Sequence, residues 1–154
     1  MQRLQYTILF IIINFCSLGI GSWLMGSGAN SDWYLSLNKA PWTPPGWVFG
    51  VAWTTIMICF SIYLANLFLK SRNQKSLLLY TIQVVLNISW SYIFFNQQLI
   101  LFGLVVICSL TLLIFYFFEY EKKVVKKSRL LLFPYMIWLL IATSLNAYIY
   151  FFNI

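Results

Sequence analysis

Five long apolar segments, separated by short polar connections, dominate the hydrophobic pattern of the chain. They cover approximately residues 4–25, 44–69, 77–95, 99–118 and 130–152. No segment has a charged residue near its middle, and each has about the 20 mostly apolar residues that a helix needs to cross a bilayer. The pattern therefore predicts an all-α membrane protein, with residues 1–154 forming a single domain built as a five-helix transmembrane bundle.

The composition agrees with this prediction. Hydrophobic residues make up 62% of the chain and charged residues only 8%, whereas a soluble domain of this length needs a far more charged surface. The first segment is longer than the hydrophobic region of a signal peptide, which has about 7–15 residues. We therefore expect it to be retained as a membrane-spanning helix.

The distribution of positive charge predicts the orientation. Of the 10 Lys and Arg residues, only Lys39 lies on the side that holds the first connection, and all the others lie on the opposite side. Because Lys and Arg accumulate on the cytoplasmic side, we expect a cytoplasmic N-terminus and a C-terminus outside. A helical bundle also suits a bacterial inner membrane better than an outer membrane. The positive residues form no continuous stripe, so nucleic-acid binding is not expected.

The chain lacks the groups of conventional catalytic and metal sites. It contains no histidine, which excludes a Ser-His-Asp triad and a histidine metal site. The three cysteines are isolated in different apolar segments, as Cys16, Cys59 and Cys108. A proton-coupled exporter would need a carboxylate in the middle of a membrane-spanning segment. The chain has none there, since its acidic residues, Asp32, Glu119 and Glu121, lie in the connections or at the ends of the segments. We expect neither a metal ion nor a resident cofactor.

The first connection, about residues 26–43, is unusually long and rich in Trp, Tyr and Pro. Asp32 is predicted to cap a short helix, and Thr43 to cap the second long helix, with Pro44 as its first residue. An aromatic belt at the membrane surface would explain part of this composition. The rigid proline-rich stretch favours a second interpretation, a partly structured lid over the outer end of the bundle.

Aromatic and amide side chains recur at helical spacing in the second, third and fifth segments. The three sets are Phe49, Trp53 and Met57; Gln83, Asn87, Trp90 and Phe94; and Tyr135, Trp138, Ala142 and Asn146. Contacts between helices would explain any single member. Taken together with the lid, the three faces predict a deep apolar pocket with a few hydrogen-bond donors, which suits a flat aromatic ligand.

Three motifs that contain these residues resemble those of the TspO/MBR family, the tryptophan-rich sensory or translocator proteins. The first comprises Trp33, Tyr34, Leu37, Lys39, Pro41, Trp42, Pro44, Pro45, Phe49 and Trp53. The second comprises Asn87, Trp90, Ser91, Phe94 and Phe95, and the third Pro134, Tyr135, Trp138, Ala142, Leu145 and Asn146. Two positions depart from the family pattern: Ala40 replaces a proline, and Met57 stands where an aromatic residue is frequent.

The resemblance implies a five-helix bundle, often a homodimer, that binds porphyrins and haem-like tetrapyrroles. The ligand-binding residues that it implies are Tyr34, Trp42, Pro44, Trp53, Asn87, Trp90, Phe94, Trp138, Ala142 and Asn146. Cholesterol binding is doubtful, because no Lys or Arg follows Tyr148 and Tyr150, where animal members carry a cholesterol motif.

Three functions remain open on the sequence. The first is a membrane receptor or carrier for porphyrins. The second is a light-dependent porphyrin-degrading enzyme, an activity reported for some bacterial members of the family, in which Trp53 and Trp138 would take part in the photochemistry. The third is a structural or assembly factor without a ligand, in which substitutions in the pocket would alter stability but no small-molecule affinity.

Overall fold

The computed structural model describes residues 2–120 and 122–153, and within them five helices are long and apolar enough to cross a membrane. These are α1 (Gln2–Leu24), α3 (Gly46–Lys70), α4 (Gln74–Ser91), α5 (Ile100–Glu119) and α7 (Phe133–Phe152). Two short helices, α2 (Asp32–Ser36) and α6 (Lys122–Val125), lie in the connections. The predicted five-helix membrane bundle is confirmed.

The second long helix begins later than predicted, and the predicted cap at Thr43 is wrong. The Thr43 Oγ1 and backbone N–H both donate to the Ala40 carbonyl, at 2.7 and 2.9 Å, and so close a turn. Pro45 is extended (ψ 150°), and α3 begins at Gly46. A residue that precedes a proline avoids the helical region, so Pro44 cannot belong to the helix. The first connection therefore extends to residue 45.

The other helix ends differ from the predictions by a few residues. The third span begins at Gln74, and α4 continues as a wider helical turn over Tyr92–Asn96. The fifth long helix begins at Phe133, because the preceding segment, Lys126–Leu132, forms a tighter 3₁₀ helix. Pro134 lies in the first turn of α7, where its missing N–H breaks no helical hydrogen bond.

The hydrophobic core lies at the end of the bundle where α3 finishes. Residues 63–68, near the end of α3, are buried on every face, because α1, α7 and the 126–132 segment all contact this helix. The first half of α3 is only partly covered. A helix that is apolar all round suits such a central position. The bundle is therefore closely packed at the end that contains Lys70, which is called the basic end below. It is more open at the opposite end, which holds the first connection and is called the loop end.

Buried polar side chains join the helices below the loop end. The Asn14 Nδ2 on α1 donates to Ser61 Oγ on α3, and Tyr80 OH on α4 donates to Asn14 Oδ1, both at 2.8 Å. One turn further along α4, Gln83 Nε2 donates to Tyr135 OH on α7 at 2.9 Å. Because no water competes inside the bilayer, these bonds hold the helices in one lateral arrangement.

Candidate functional site

A cavity of about 470 Å³ opens at the loop end, between α1, α3, α4 and the first connection. Its size is within the roughly 300–1,000 Å³ of typical small-molecule sites. Apolar atoms form most of its surface, and the polar groups are few. Asn14 and Gln83 lie about one helical turn below the cavity residues Ser17 and Asn87, so the hydrogen bonds described above support its floor.

The α3 and α4 walls combine two of the predicted faces. Phe49 and Trp53 on α3 line the cavity opposite Asn87 and Trp90 on α4. Within residues 2–120 and 122–153, neither the Trp53 indole N–H nor the Asn87 side-chain amide has a hydrogen-bond partner, although Asn87 is only 6% exposed. An amide that is buried beside a cavity gains stability when a bound molecule or water pairs with it. These two groups are therefore available to a ligand.

The α1 wall was not predicted from the sequence. Ser17 and Gly21 line the cavity from one face of α1, and Met25 lines it just beyond the end of that helix. At Gly21, α1 and α4 approach each other closely, since a Cβ built at Gly21 would lie 3.3 Å from Ser91 Oγ on α4. Small residues at a four-residue spacing are typical of close helix packing in membranes. That spacing in an otherwise apolar helix was the signal that could have identified this wall.

The lid contains the short helix α2, and its cap is one residue earlier than predicted. The Ser31 side chain accepts a hydrogen bond from the Tyr34 backbone N–H at 3.2 Å, and Asp32 is the first helical residue. A serine hydroxyl at the N-cap accepts a hydrogen bond from a backbone N–H of the first turn that would otherwise have no partner within the helix. The cap directs Tyr34 over the cavity, where its ring contacts Phe95 at a centroid distance of 5.3 Å.

Lys39 places a positive charge at the mouth of the cavity. Its Nζ donates to the carbonyls of Tyr34 and Leu35, at 3.0 and 3.1 Å, and lies 5.1 Å from the centre of the Tyr34 ring. The carbonyls at the end of a helix carry partial negative charge, so they stabilise the ammonium group there. Burial raises the pKa of the Tyr34 phenol, which therefore remains a neutral hydrogen-bond donor at physiological pH.

The end of the lid is fastened to α7. Trp42 lies outside the cavity lining, its Nε1–H donates to Ser144 Oγ at 3.2 Å, and its ring contacts Tyr148 edge-on at 5.4 Å. Nearby, the Asn38 N–H donates to Asn153 Oδ1 at 2.7 Å, and Asn153 Nδ2 donates to the Asn38 carbonyl at 3.0 Å. We call these two sets of contacts the α7 latch. These contacts join the end of the lid to α7, outside the cavity lining, and so hold the lid over the cavity.

The remaining predicted residues lie behind the cavity wall. Phe94 stacks on Trp90 with ring centres 5.7 Å apart, and Asn146 Oδ1 accepts a hydrogen bond from Trp90 Nε1 at 3.4 Å. Trp138 packs edge-on against Phe49 at 5.1 Å. Thus the structure groups five predicted residues around the cavity: Tyr34, Pro44, Trp53, Asn87 and Trp90. The others lie outside the lining: Trp42, Phe94, Trp138, Ala142 and Asn146.

Comparison with known proteins identifies the family. The TspO/MBR family model matches residues 10–151. The chain is 36% identical over 118 residues to protein CrtK of Rhodobacter capsulatus, covering 74% of each chain. It is 34% identical over 150 residues to a tryptophan-rich protein TspO of Archaeoglobus fulgidus, covering 92% of this chain and 94% of the relative. It is 32% identical over 130 residues to the translocator protein of Homo sapiens, covering 77% and 73%. This integral membrane protein therefore belongs to the TspO/MBR family.

Proposed function

We propose that the chain is a membrane receptor or carrier that binds porphyrins and related flat hydrophobic tetrapyrroles in the cavity at the loop end. The observation that carries the proposal is the combination, in one cavity, of aromatic walls with two hydrogen-bonding groups, those of Asn87 and Trp53, that have no partner among the described residues. The relatives named tryptophan-rich sensory protein and translocator protein support a role in sensing or transport.

The aromatic walls favour a flat ligand. Phe49, Trp53 and Trp90 contribute rings from two helices, and Tyr34 contributes one from the lid. Rings stacked or edge-on against a planar ligand contribute about 0.5–1.5 kcal/mol per pair beyond the burial of area. A tetrapyrrole is planar and wide enough to contact several of these rings at once, so it uses the whole cavity better than a flexible chain does.

The polar groups favour a ligand with an apolar body and a polar edge. Asn87 can both donate and accept, whereas the Trp53 indole only donates. The Lys39 ammonium at the mouth would pair with the carboxylate groups that protoporphyrin IX carries at one edge. The ligand would therefore bind with its carboxylates towards the lid and its apolar body in the bundle.

Titration of the purified protein with protoporphyrin IX, followed by tryptophan fluorescence, tests this proposal. We expect saturable quenching, with affinity about fivefold weaker in Trp53→Phe and in Asn87→Leu, because each loses one hydrogen bond of roughly 1 kcal/mol. Trp23→Phe is the matched control, since Trp23 is 80% exposed on α1 and lies outside the cavity lining. Equal affinities in all three variants would contradict the proposed site.

Light-dependent degradation of the bound porphyrin is the alternative, and one contact favours it. The Trp53 ring lines the cavity and lies 6.0 Å from the ring of Tyr135, so two oxidisable side chains would stand near an excited ligand. Illumination of the complex should then yield a defined product, and Trp53→Phe should lower its yield. Bleaching at the rate of free porphyrin in detergent would refute this activity.

We further propose that the basic end faces the cytoplasm of a bacterial inner membrane, which leaves the C-terminus outside. The Lys70 Nζ donates to the Val124 carbonyl at 3.5 Å, so the two Lys- and Arg-rich connections are neighbours at one end of the bundle. Such an end is costly to translocate and is retained in the cytoplasm. A C-terminal alkaline phosphatase fusion should be active, whereas a fusion after Arg72 should be inactive. The reverse result would invert the proposed orientation.

A homodimer through α3 is the proposed oligomeric state. A Cβ built at Gly46 or at Gly50 meets nothing within 4 Å. Gly46 borders the cavity, whereas Gly50 is exposed outside its lining and leaves a small-residue face at the loop end of α3. A small-residue face of this kind lets two helices approach closely in a membrane. Gly50→Ile should reduce chemical cross-linking to a dimer, whereas Gly19→Ile on α1, also in open space, should not. Unchanged cross-linking in Gly50→Ile would exclude this interface.

A further inference from the structure

A second concave surface lies near the basic end of α1, away from the cavity. It consists of two depressions of about 450 and 430 Å³. Both are lined by Tyr6, Leu9, Phe68 and Arg72, so they form one continuous surface where α1 meets the ends of α3 and α4. We call it the α1 groove.

The floor of the α1 groove is apolar. Phe10 forms its base, with its ring centre 5.1 Å from that of Phe68 and 5.3 Å from that of Tyr80. The Tyr80 hydroxyl donates to Asn14 inside the bundle, which leaves only the Tyr80 ring to face the groove. Leu77, on the first turns of α4, is 56% exposed beside it. The floor therefore has the apolar character of a surface that covers hydrocarbon chains.

One cation at the edge of the groove has no partner among residues 2–120 and 122–153. The Lys70 ammonium donates to the Val124 carbonyl, and the Lys75 ammonium lies 5.4 Å from the centre of the Tyr116 ring. Arg72, between them in sequence, lines both depressions and makes no ion pair or hydrogen bond with any described residue. Its guanidinium has five N–H donors, whose fork matches the oxygens of a phosphate.

Neutral donors extend this polar edge. Gln5 on α1 and Gln74 at the start of α4 line the depressions on either side of Arg72. Neither side-chain amide has a hydrogen bond within the described part of the chain. The groove thus combines a cation and two amides at its rim with an apolar floor directly below them. That order, from polar to apolar, is the order of a phospholipid from its headgroup to its acyl chains.

We propose that the α1 groove is a binding site for an anionic glycerophospholipid. Arg72 pairs with the lipid phosphate, Gln5 and Gln74 bind neighbouring headgroup oxygens, and the acyl chains follow Leu9 and Leu77. The net negative charge of the headgroup matters because no described acidic residue neutralises Arg72. A free phosphate ion would leave the apolar floor uncovered. The site does not depend on the porphyrin proposal, since none of these residues lines the loop-end cavity.

Native mass spectrometry of the detergent-solubilised full chain tests the proposal. We expect one tightly retained dioleoylphosphatidylglycerol per protein chain, bound about fivefold more tightly than dioleoylphosphatidylcholine, as one Arg near a headgroup implies. Arg72→Gln should remove this preference. Arg3→Gln is the matched control, because it removes the same charge at the same end of the bundle but lies outside the groove.

A second pair of variants tests the apolar floor. Leu77→Trp should fill the groove and weaken both lipids, whereas Leu78→Trp, at an adjacent position that is 59% exposed and outside the groove, should not. Inorganic phosphate at millimolar concentration should not displace the lipid. Equal lipid preference in Arg72→Gln and Arg3→Gln, equal binding in the two Trp variants, or displacement by phosphate would each overturn the proposal. Porphyrin quenching should be unchanged in Arg72→Gln.

Discussion

The α7 latch should control the fraction of molecules in which the lid is open. Trp42→Phe removes the hydrogen bond to Ser144 but keeps an aromatic ring against Tyr148. Trp42→Ala removes both contacts. The hydrogen bond is worth about 1 kcal/mol, and an edge-on aromatic pair adds about 1 kcal/mol. Since 1.4 kcal/mol is a factor of ten, the open fraction of the lid should rise about fivefold in Trp42→Phe and about thirtyfold in Trp42→Ala.

Two measurements detect this change. Hydrogen exchange of the unliganded protein should lose protection in residues 38–43 by these factors, because the closed lid is less populated. Stopped-flow displacement should show protoporphyrin IX leaving faster by similar factors, since the ligand escapes only when the lid is open. The first measurement needs no ligand, so it tests the latch even if the porphyrin proposal is wrong.

The control for the latch is Trp47→Ala. Trp47 is 71% exposed and makes no hydrogen bond or ring contact with the described residues, although it lies close to Trp42 in sequence. Its replacement should leave both the exchange and the release rates unchanged. If Trp42→Ala behaves like Trp47→Ala in hydrogen exchange, the contacts with α7 do not hold the lid, and the reasoning is refuted.

Two further predictions concern packing within the bundle. Asn14→Leu leaves the buried Tyr80 hydroxyl without its acceptor and should lower the free energy of unfolding by about 1–3 kcal/mol, as measured by denaturant titration in detergent; an unchanged midpoint would contradict the role of this hydrogen bond. Gly103→Ala should lower the thermal midpoint, with a cost of about 1–3 kcal/mol, because its Cβ would lie 2.9 Å from Phe94 Cδ2. Gly19→Ala, whose Cβ meets nothing within 4 Å, is the control and should be neutral or slightly stabilising.

The helix ends are less predictable from the sequence than the helices themselves. The five apolar segments were predicted because a helix in lipid must be apolar over its whole length. Their boundaries do not follow from this rule, because caps and turns depend on local backbone geometry. Thr43 has the side chain of a helix cap, yet its hydroxyl closes a turn on Ala40 instead. The two consecutive prolines then delay the start of α3 to Gly46.

The candidate site was partly predictable for a similar reason. Helical spacing places Phe49 with Trp53, and Asn87 with Trp90, on single faces, and these two faces do line one cavity. Spacing does not reveal which neighbour a face meets. Trp138 has the same pattern on α7, but α7 packs behind α3, so Trp138 contacts the back of Phe49. The α1 wall has only small side chains, which carry little signal in a hydrophobic pattern.

The sequence alone determined the membrane class, the five helices, the concentration of positive charge on one side and the lack of histidine chemistry. Those properties follow from the free-energy cost of placing polar groups in lipid, and this cost depends on the composition of each segment by itself. Which helix faces meet one another depends on the three-dimensional packing of the bundle. It pairs the Trp90 indole with Asn146, whereas the side chains of Trp53 and Asn87 have no hydrogen-bond partner among the described residues and lie beside a cavity.

The tertiary structure also brings Arg72 beside Leu9, far away in sequence, and fastens the lid to α7 through Trp42. Helices in a bilayer gain little from burying apolar surface against one another, since lipid is equally apolar. Their arrangement is therefore set by close packing at small residues such as Gly21 and by a few buried hydrogen bonds such as that of Asn14. These terms depend on pairs of helices, so no single segment contains them.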